Sequence, residues 1–188
     1  MGELTLITGG ARSGKSAFAE SMAARSGLPV TYIATLEPLD EEMRDRVQRH
    51  QARRPASWCT VEAGSDLLAA LRAADEGGNS GMLLLDCIAV WTSNQLLALN
   101  DEAPSTDALA RLEDALTQHV AAFLDAIAAR SGPAIIVTNE VGDGLVPPYA
   151  LGRAYRDLLG RVNQQLSRGA QQAYLVVAGR ALPLPPAF

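Results

Sequence analysis

The octapeptide Gly9-Gly10-Ala11-Arg12-Ser13-Gly14-Lys15-Ser16 follows directly on the β-type run Leu4-Thr5-Leu6-Ile7-Thr8 and opens a helical stretch from about Lys15 to Arg25. No other feature limits the fold of this chain so sharply. The spacing is G-x-x-x-x-G-K-[ST], and a strand before it and a helix after it are the setting in which that spacing holds phosphate. Its glycines let the loop curl until backbone N–H groups converge on a β-phosphate, and the helix N-terminus adds partial positive charge. In such a loop Lys15 reaches the β- and γ-phosphates and the Ser16 hydroxyl ligates Mg2+. The competing reading is a glycine-rich turn that merely caps a helix. The lysine count weighs against it: of 16 Lys+Arg, Lys15 is the one lysine. A compact ammonium has been kept where a planar guanidinium would not serve.

Strand-like and helix-like patterns alternate along the rest of the chain. Val30–Ala34, Trp58–Glu62, Met82–Leu85, Ala134–Thr138 and Tyr174–Ala178 read as strands, the last of them closing the sheet. Met82-Leu83-Leu84-Leu85 is apolar without interruption, as in a strand buried on both faces. Helices are predicted over 39–54, 65–74, 91–99, 105–129 and 149–168. The helix over 105–129 repeats apolar residues at Leu109, Leu112, Leu116, Val120, Phe123 and Ile127. Such alternation calls for parallel pairing through right-handed crossovers. The expected fold is α/β, a P-loop NTPase-type three-layer sandwich around a mostly parallel sheet. At 188 residues, without repeat or linker, the chain reads as one nucleotide-binding domain over residues 1–188.

A phosphate loop needs an acid at the end of a neighbouring strand to hold Mg2+. Asp86, after Met82–Leu85, is the first candidate, since open parallel sheets bind ligands at that edge. The alternative is an N-cap for the next helix. Glu140, after Ile135-Ile136-Val137-Thr138-Asn139, is the second choice, and Thr35, just past the second strand, is also placed to reach the nucleotide.

Two histidines occur, His50 and His119. His119 falls mid-helix beside Val120 and reads as a packing or surface residue. His50 lies in a stretch, Asp40 to Arg54, that holds five of the fifteen arginines: Arg44, Arg46, Arg49, Arg53 and Arg54. Guanidinium groups around an imidazole disfavour imidazolium, and a neutral imidazole is a nucleophile. Those arginines could bind the phosphates it attacks. Equally, Leu39, Met43, Val47 and His50 form one helical stripe, so His50 could simply end a core-facing side.

Composition excludes several classes. A net charge of -5 gives no general footprint for nucleic acid, so none is expected as a partner. No apolar run approaches the roughly 20 residues that span a bilayer, so no membrane insertion is expected. Met1-Gly2-Glu3-Leu4 has no basic leader, and two cysteines give no disulfide framework, which together point to the cytoplasm. A GTPase switch generally carries an Asn-Lys-x-Asp guanine motif, and the single lysine is already used at position 15.

These segments together resemble a known family, the bifunctional adenosylcobinamide kinase/adenosylcobinamide-phosphate guanylyltransferases of cobalamin biosynthesis. The resemblance rests on Thr8 to Ser16, Tyr32-Ile33-Ala34-Thr35, Asp40-Glu41-Glu42-Met43 with Arg46 and His50, and Arg54-Pro55 with Trp58, Thr60 and Glu62. It continues through Asp86-Cys87 with Trp91 and Asn94, Thr138-Asn139-Glu140-Val141-Gly142, Val146-Pro147, Arg156-Asp157, Gly160-Arg161 and Asn163-Gln164. It implies phosphorylation of adenosylcobinamide by ATP or GTP, followed by transfer of GMP from GTP through a histidine to the adenosylcobinamide phosphate. His50 matches the guanylylated position, and Gln51, Ala52, Arg53, Arg54, Glu62 and Asp86 would contact the nucleotide. It also implies a homotrimer. A monofunctional P-loop small-molecule kinase is the alternative.

Overall fold

The computed structural model describes residues 2–36, 54–76, 78 and 80–187. Seven strands among them form one sheet: β1 Leu4–Thr8, β2 Val30–Ala34, β3 Cys59–Glu62, β4 Met82–Asp86, β5 Ala134–Val137, β6 Gln172–Val177 and β7 Arg180–Pro183. Their order is β3-β2-β4-β5-β1-β6-β7. Every pairing is parallel except that of β6 with β7. The described helices are α1 Lys15–Arg25, α2 Leu67–Ala74, α3 Ile88–Leu97, α4 Thr106–Ala129 and α5 Ala150–Gly169. The α/β sandwich expected from the alternating pattern is therefore present. The helix predicted over 39–54 lies almost wholly outside the described residues.

The strands bury both faces, and side-chain alternation sorts their residues into two cores. Leu4, Leu6, Ile33, Leu83, Leu85 and Ile136 meet α2, α3, α4 and α5 on one face. Ile7, Val30, Tyr32, Met82, Leu84, Ile135 and Val137 meet Ala19 and Ala23 of α1 on the other. Each fully buried aliphatic side chain contributes roughly 1.5–3 kcal/mol. Leu116, Val120, Phe123 and Ile127 are the buried part of the stripe predicted for α4.

Two helix starts are fixed by side chains. Asp66 accepts the Leu68 and Ala69 N–H groups ahead of α2, and Ser105 accepts the Ala108 N–H ahead of α4. His119, on α4, accepts the Leu67 N–H through Nε2 at 3.2 Å and lies against the Trp91 ring. It is thus a packing residue that ties α4 to the start of α2, as expected.

Tyr174–Ala178 was expected to be the final strand, and here the structure differs. The chain turns at Ala178 (φ 49°) and Gly179 (φ 76°) and returns as β7. Two successive positive φ values suit the twist of a tight hairpin. Pro183 ends an edge strand, where its missing N–H is tolerated, and this proline-rich tail hid the strand from the periodicity.

At the amino ends of the strands, Arg130 is 3% exposed. Its guanidinium grips Asp75 at 2.9–3.1 Å and donates to the carbonyls of Gly81, Gly132 and Pro133 at 3.2–3.3 Å. One side chain thereby joins the entries of β4 and β5. Arg130→Met strands a carboxylate and three carbonyls, and should cost about 3–5 kcal/mol in urea denaturation. Nucleotide affinity should hold, since the phosphate loop sits at the opposite edge of the sheet.

Candidate active site

The loop from Gly9 to Gly14 leaves the carboxyl end of β1, between β5 and β6. Its shape depends on backbone angles that side chains resist: Gly9 at φ 154°, Arg12 at 57° and Gly14 at 102°, with Gly14 as the left-handed N-cap of α1. Neighbouring strands brace it. The Glu140 N–H donates to the Gly9 carbonyl at 3.0 Å, and the Gly179 N–H to the Ser13 carbonyl at 2.8 Å. The β6–β7 hairpin, unforeseen from sequence, therefore supports the phosphate loop. Gly10, Ala11 and Arg12 are exposed, and the Ser13 hydroxyl is buried without a hydrogen-bond partner.

Lys15 is 7% exposed and its Nζ donates to the Gly10 carbonyl at 2.8 Å, folded across the loop it begins. Burial lowers the pKa of this ammonium, opposed by the neighbouring Cys87 sulfur and the Asp86 carboxylate. Ser16, half-buried, stands in the first turn of α1.

Asp86 ends β4 on the face that carries α1. It is not a helix cap: Cys87 occupies the N-cap of α3 with no side-chain cap bond, and α3 starts three residues earlier than predicted. Its Oδ2 instead accepts the Tyr32 hydroxyl at 3.1 Å. Burial first, and then the Asp86 charge, push the Tyr32 pKa up, so the hydroxyl keeps its proton and donates. Arg54 lies flat on the other side of this residue, its Cζ 3.2 Å from the Tyr32 ring centroid. The Arg54 Nε and Nη1 are buried and without a hydrogen-bond partner. An aromatic ring that takes the face of a guanidinium leaves its in-plane fork available to a phosphate.

Thr35 is 2% exposed, and its hydroxyl proton is committed: Oγ1 donates to the Cys87 carbonyl at 2.7 Å and accepts the Cys87 N–H at 2.9 Å. The Asn94 amide adds a bond to the Thr35 carbonyl at 3.3 Å. Thr35 thus clips the end of β2 to the end of β4, a bracing role that its position in sequence did not reveal. Glu62 ends β3 and is exposed. Three strands separate it from β1, each about 4.8 Å wide, so it stands at the far end of the row from the phosphate loop. His50, Gln51, Ala52 and Arg53 lie outside the described residues.

The loop after β5 completes the edge. Glu140 Oε1 accepts the Gly142 N–H, Arg156 donates to the Gly142 carbonyl, and Arg153 donates to the carbonyls of Pro147 and Pro148. Asn163 joins Thr138 and Asn139 to α5 at 2.6 and 3.0 Å. Arg153 and Arg156 therefore hold loop carbonyls, and Arg161 pairs with Glu113 at 2.9 Å.

The parallel sheet, the glycine loop at β1, its lysine and an acid two strands away define the P-loop NTPase class. Within that class the chain matches the family described as cobinamide kinase / cobinamide phosphate guanyltransferase, over residues 5–184. It is 41% identical over 179 residues to the bifunctional adenosylcobalamin biosynthesis protein CobP of Pseudomonas aeruginosa, covering 95% of each chain. It is 40% identical to the protein of that description, CobU, from Salmonella typhimurium (94% of this chain, 96% of the relative), and 39% identical to CobU of Escherichia coli (94% and 96%). The chain belongs to the cobinamide kinase / cobinamide phosphate guanyltransferase family.

Two outcomes follow from the geometry. A Cβ on Gly9 would sit 2.3 Å from the Val176 carbonyl oxygen, so Gly9→Ala must move backbone. It should lower stability by about 1–3 kcal/mol in thermal unfolding and abolish triphosphate binding in equilibrium dialysis. Cys59 is exposed, whereas burial and the adjacent Asp86 push the Cys87 thiol up to about 12. Thiol titration with an aromatic disulfide at pH 8 should count one prompt thiol in the native protein and the second only on unfolding.

Proposed function

We propose that this chain, as a single domain over residues 1–188, phosphorylates adenosylcobinamide and then guanylylates the product through His50. The reading is carried by the family match across residues 5–184, which spans the phosphate loop, His50 and Asp86 together. In the first reaction a hydroxyl oxygen of adenosylcobinamide attacks the γ-phosphorus of ATP or GTP. The bond to the β–γ bridging oxygen breaks, the nucleoside diphosphate leaves with the electron pair, and the hydroxyl proton passes to solvent. Gly9, Gly10, Ala11, Arg12, Ser13 and Gly14 supply the loop backbone that grips the triphosphate, and Lys15 neutralises charge as it moves to the leaving oxygens. Thr35 keeps the ends of β2 and β4 together beside it.

In the second reaction a ring nitrogen of His50 attacks the α-phosphorus of GTP. A P–N bond forms, the α–β bridging bond breaks, and pyrophosphate leaves with the electron pair. A phosphate oxygen of adenosylcobinamide phosphate then attacks the same phosphorus, releasing His50 and giving adenosylcobinamide-GDP. Gln51, Ala52, Arg53 and Arg54 flank the nucleophile in sequence and bind phosphate and nucleotide. Glu62, at the far end of the strand row, takes the nucleoside end.

The residues fit Mg2+ bound with the nucleotide. No cluster of three or more His, Cys, Asp or Glu side chains converges among the described residues, and Mg2+ usually takes one or two protein oxygens plus substrate phosphates. Asp86, with Oδ2 oriented by Tyr32, and Ser16 would hold it, and the ion would neutralise phosphate charge. Two free cysteines suit a reducing cytoplasm. The described helices include none long and apolar enough to cross a membrane. A homotrimer is proposed from the family resemblance, and the exposed apolar side chains Leu145, Val146 and Tyr149 are available to such a contact.

His50→Ala should abolish covalent GMP incorporation from radiolabelled GTP while leaving measurable phosphorylation of adenosylcobinamide. Undiminished labelling in that variant would remove His50 from the mechanism.

A further inference from the structure

We propose that Tyr32 is a positioning residue for both halves of the site: its hydroxyl orients Asp86, and its ring presents the Arg54 fork to nucleotide phosphate. The inference rests on the proposed function for what Asp86 and Arg54 bind, and adds the residue that sets both.

Tyr32 is 2% exposed and sits mid-strand in β2, next to β4. Its side chain lies on the α1 face of the sheet, the face to which β4 also directs Asp86. A phenylalanine would fill the same core volume. The hydroxyl is therefore surplus to packing, and it makes one bond, to Asp86 Oδ2 at 3.1 Å. A bond to one carboxylate oxygen restricts rotation of the side chain, which is how an outer partner orients a metal-binding group before the ion arrives.

The ring does separate work. Arg54 follows His50 by four residues, and its guanidinium lies 3.2 Å above the Tyr32 centroid. That contact occupies the flat face alone. The buried Nε and Nη1 remain without partners, and leaving buried donors of a charged group unpaired is costly. Such a cost is relieved by an anion, and a planar fork matches a phosphate in two parallel bonds. Tyr32 thus couples an acid on β4 to a cation close to His50 in sequence, through one rigid side chain.

Two substitutions separate the roles. Tyr32→Phe keeps the ring and loses the hydroxyl; Tyr32→Leu loses both. Mn2+ binding, followed by electron paramagnetic resonance with guanylyl imidodiphosphate present, should weaken about 10-fold in both variants. GMP incorporation should slow in both at low Mg2+, recover in Tyr32→Phe when Mg2+ is raised, and stay slow in Tyr32→Leu. Wild-type Mn2+ affinity in Tyr32→Phe overturns the role of the hydroxyl, and recovery of Tyr32→Leu with Mg2+ overturns that of the ring. Should Tyr32→Leu not fold, the Arg54 Nε–H resonance of the wild type decides, assigned by its loss in Arg54→Lys. The ring should place it upfield and inorganic pyrophosphate should shift it; indifference to pyrophosphate overturns the presented fork. Wild-type protein that takes up no GMP would refute the proposed function instead, because the Mn2+ and resonance readings need no turnover.

Discussion

Lys15 is a cation almost out of contact with water, at the mouth of a loop whose N–H groups also seek an anion. Burial works against its charge, and the nearby Asp86 carboxylate works in its favour. Nζ donates to the Gly10 carbonyl, which satisfies one of its three donors. This unsettled charge requires a rigid surround, because a loop free to relax would let solvent reach it. The surround is built from both sides: the Glu140 N–H holds Gly9, and the Gly179 N–H holds Ser13. The strand order places exactly those two neighbours, β5 and β6, against β1.

Much of this was legible in the sequence because short-range chemistry fixed it. The phosphate loop needed its glycines at φ values other residues avoid, and a helix directly behind it. The fully buried strands β4 and β5 announced themselves as unbroken apolar runs. What escaped was set by partners distant in the chain. Asp86 could be read as a helix cap until Tyr32, 54 positions away, was seen to donate to it. Thr35 could be placed past β2, but the bonds between its hydroxyl and Cys87, 52 positions away, left no mark in the sequence. The strand β7 was hidden because prolines and a two-residue turn carry little periodicity, although that turn supports the loop.

Charge placement followed a similar division. The cluster of arginines between Asp40 and Arg54 was plain in the sequence, but their individual duties were not. Arg54 is the one of the five within the described residues, and its guanidinium stacks on an aromatic ring with two donors unpaired. Elsewhere guanidinium groups bind backbone. Arg153 and Arg156 hold the carbonyls of the loop after β5, and Arg130 closes the opposite end of the sheet. Spacing cannot distinguish these cases, because a guanidinium that binds backbone carbonyls and one that awaits phosphate have the same sequence signature.

The proposed chemistry asks one loop to serve attack at two different phosphorus atoms, and the geometry of a phosphate loop makes this economical. Its backbone cradle centres on the β-phosphate, the one group that is neither acceptor of attack nor transferred alone in either reaction. Gripping the middle of the chain leaves the γ-phosphorus open to a hydroxyl and the α-phosphorus open to an imidazole. The leaving group differs, a nucleoside diphosphate in the first case and pyrophosphate in the second, but the developing negative charge in both includes oxygens on the β-phosphate. In the proposed chemistry Lys15 and the loop N–H groups therefore serve both transition states from one position. The second reaction needs only a nucleophile brought to the α-phosphate and a cation beside it. On that proposal Arg54, four residues beyond His50 in sequence and stacked on the Tyr32 ring, is the described residue that would supply such a cation.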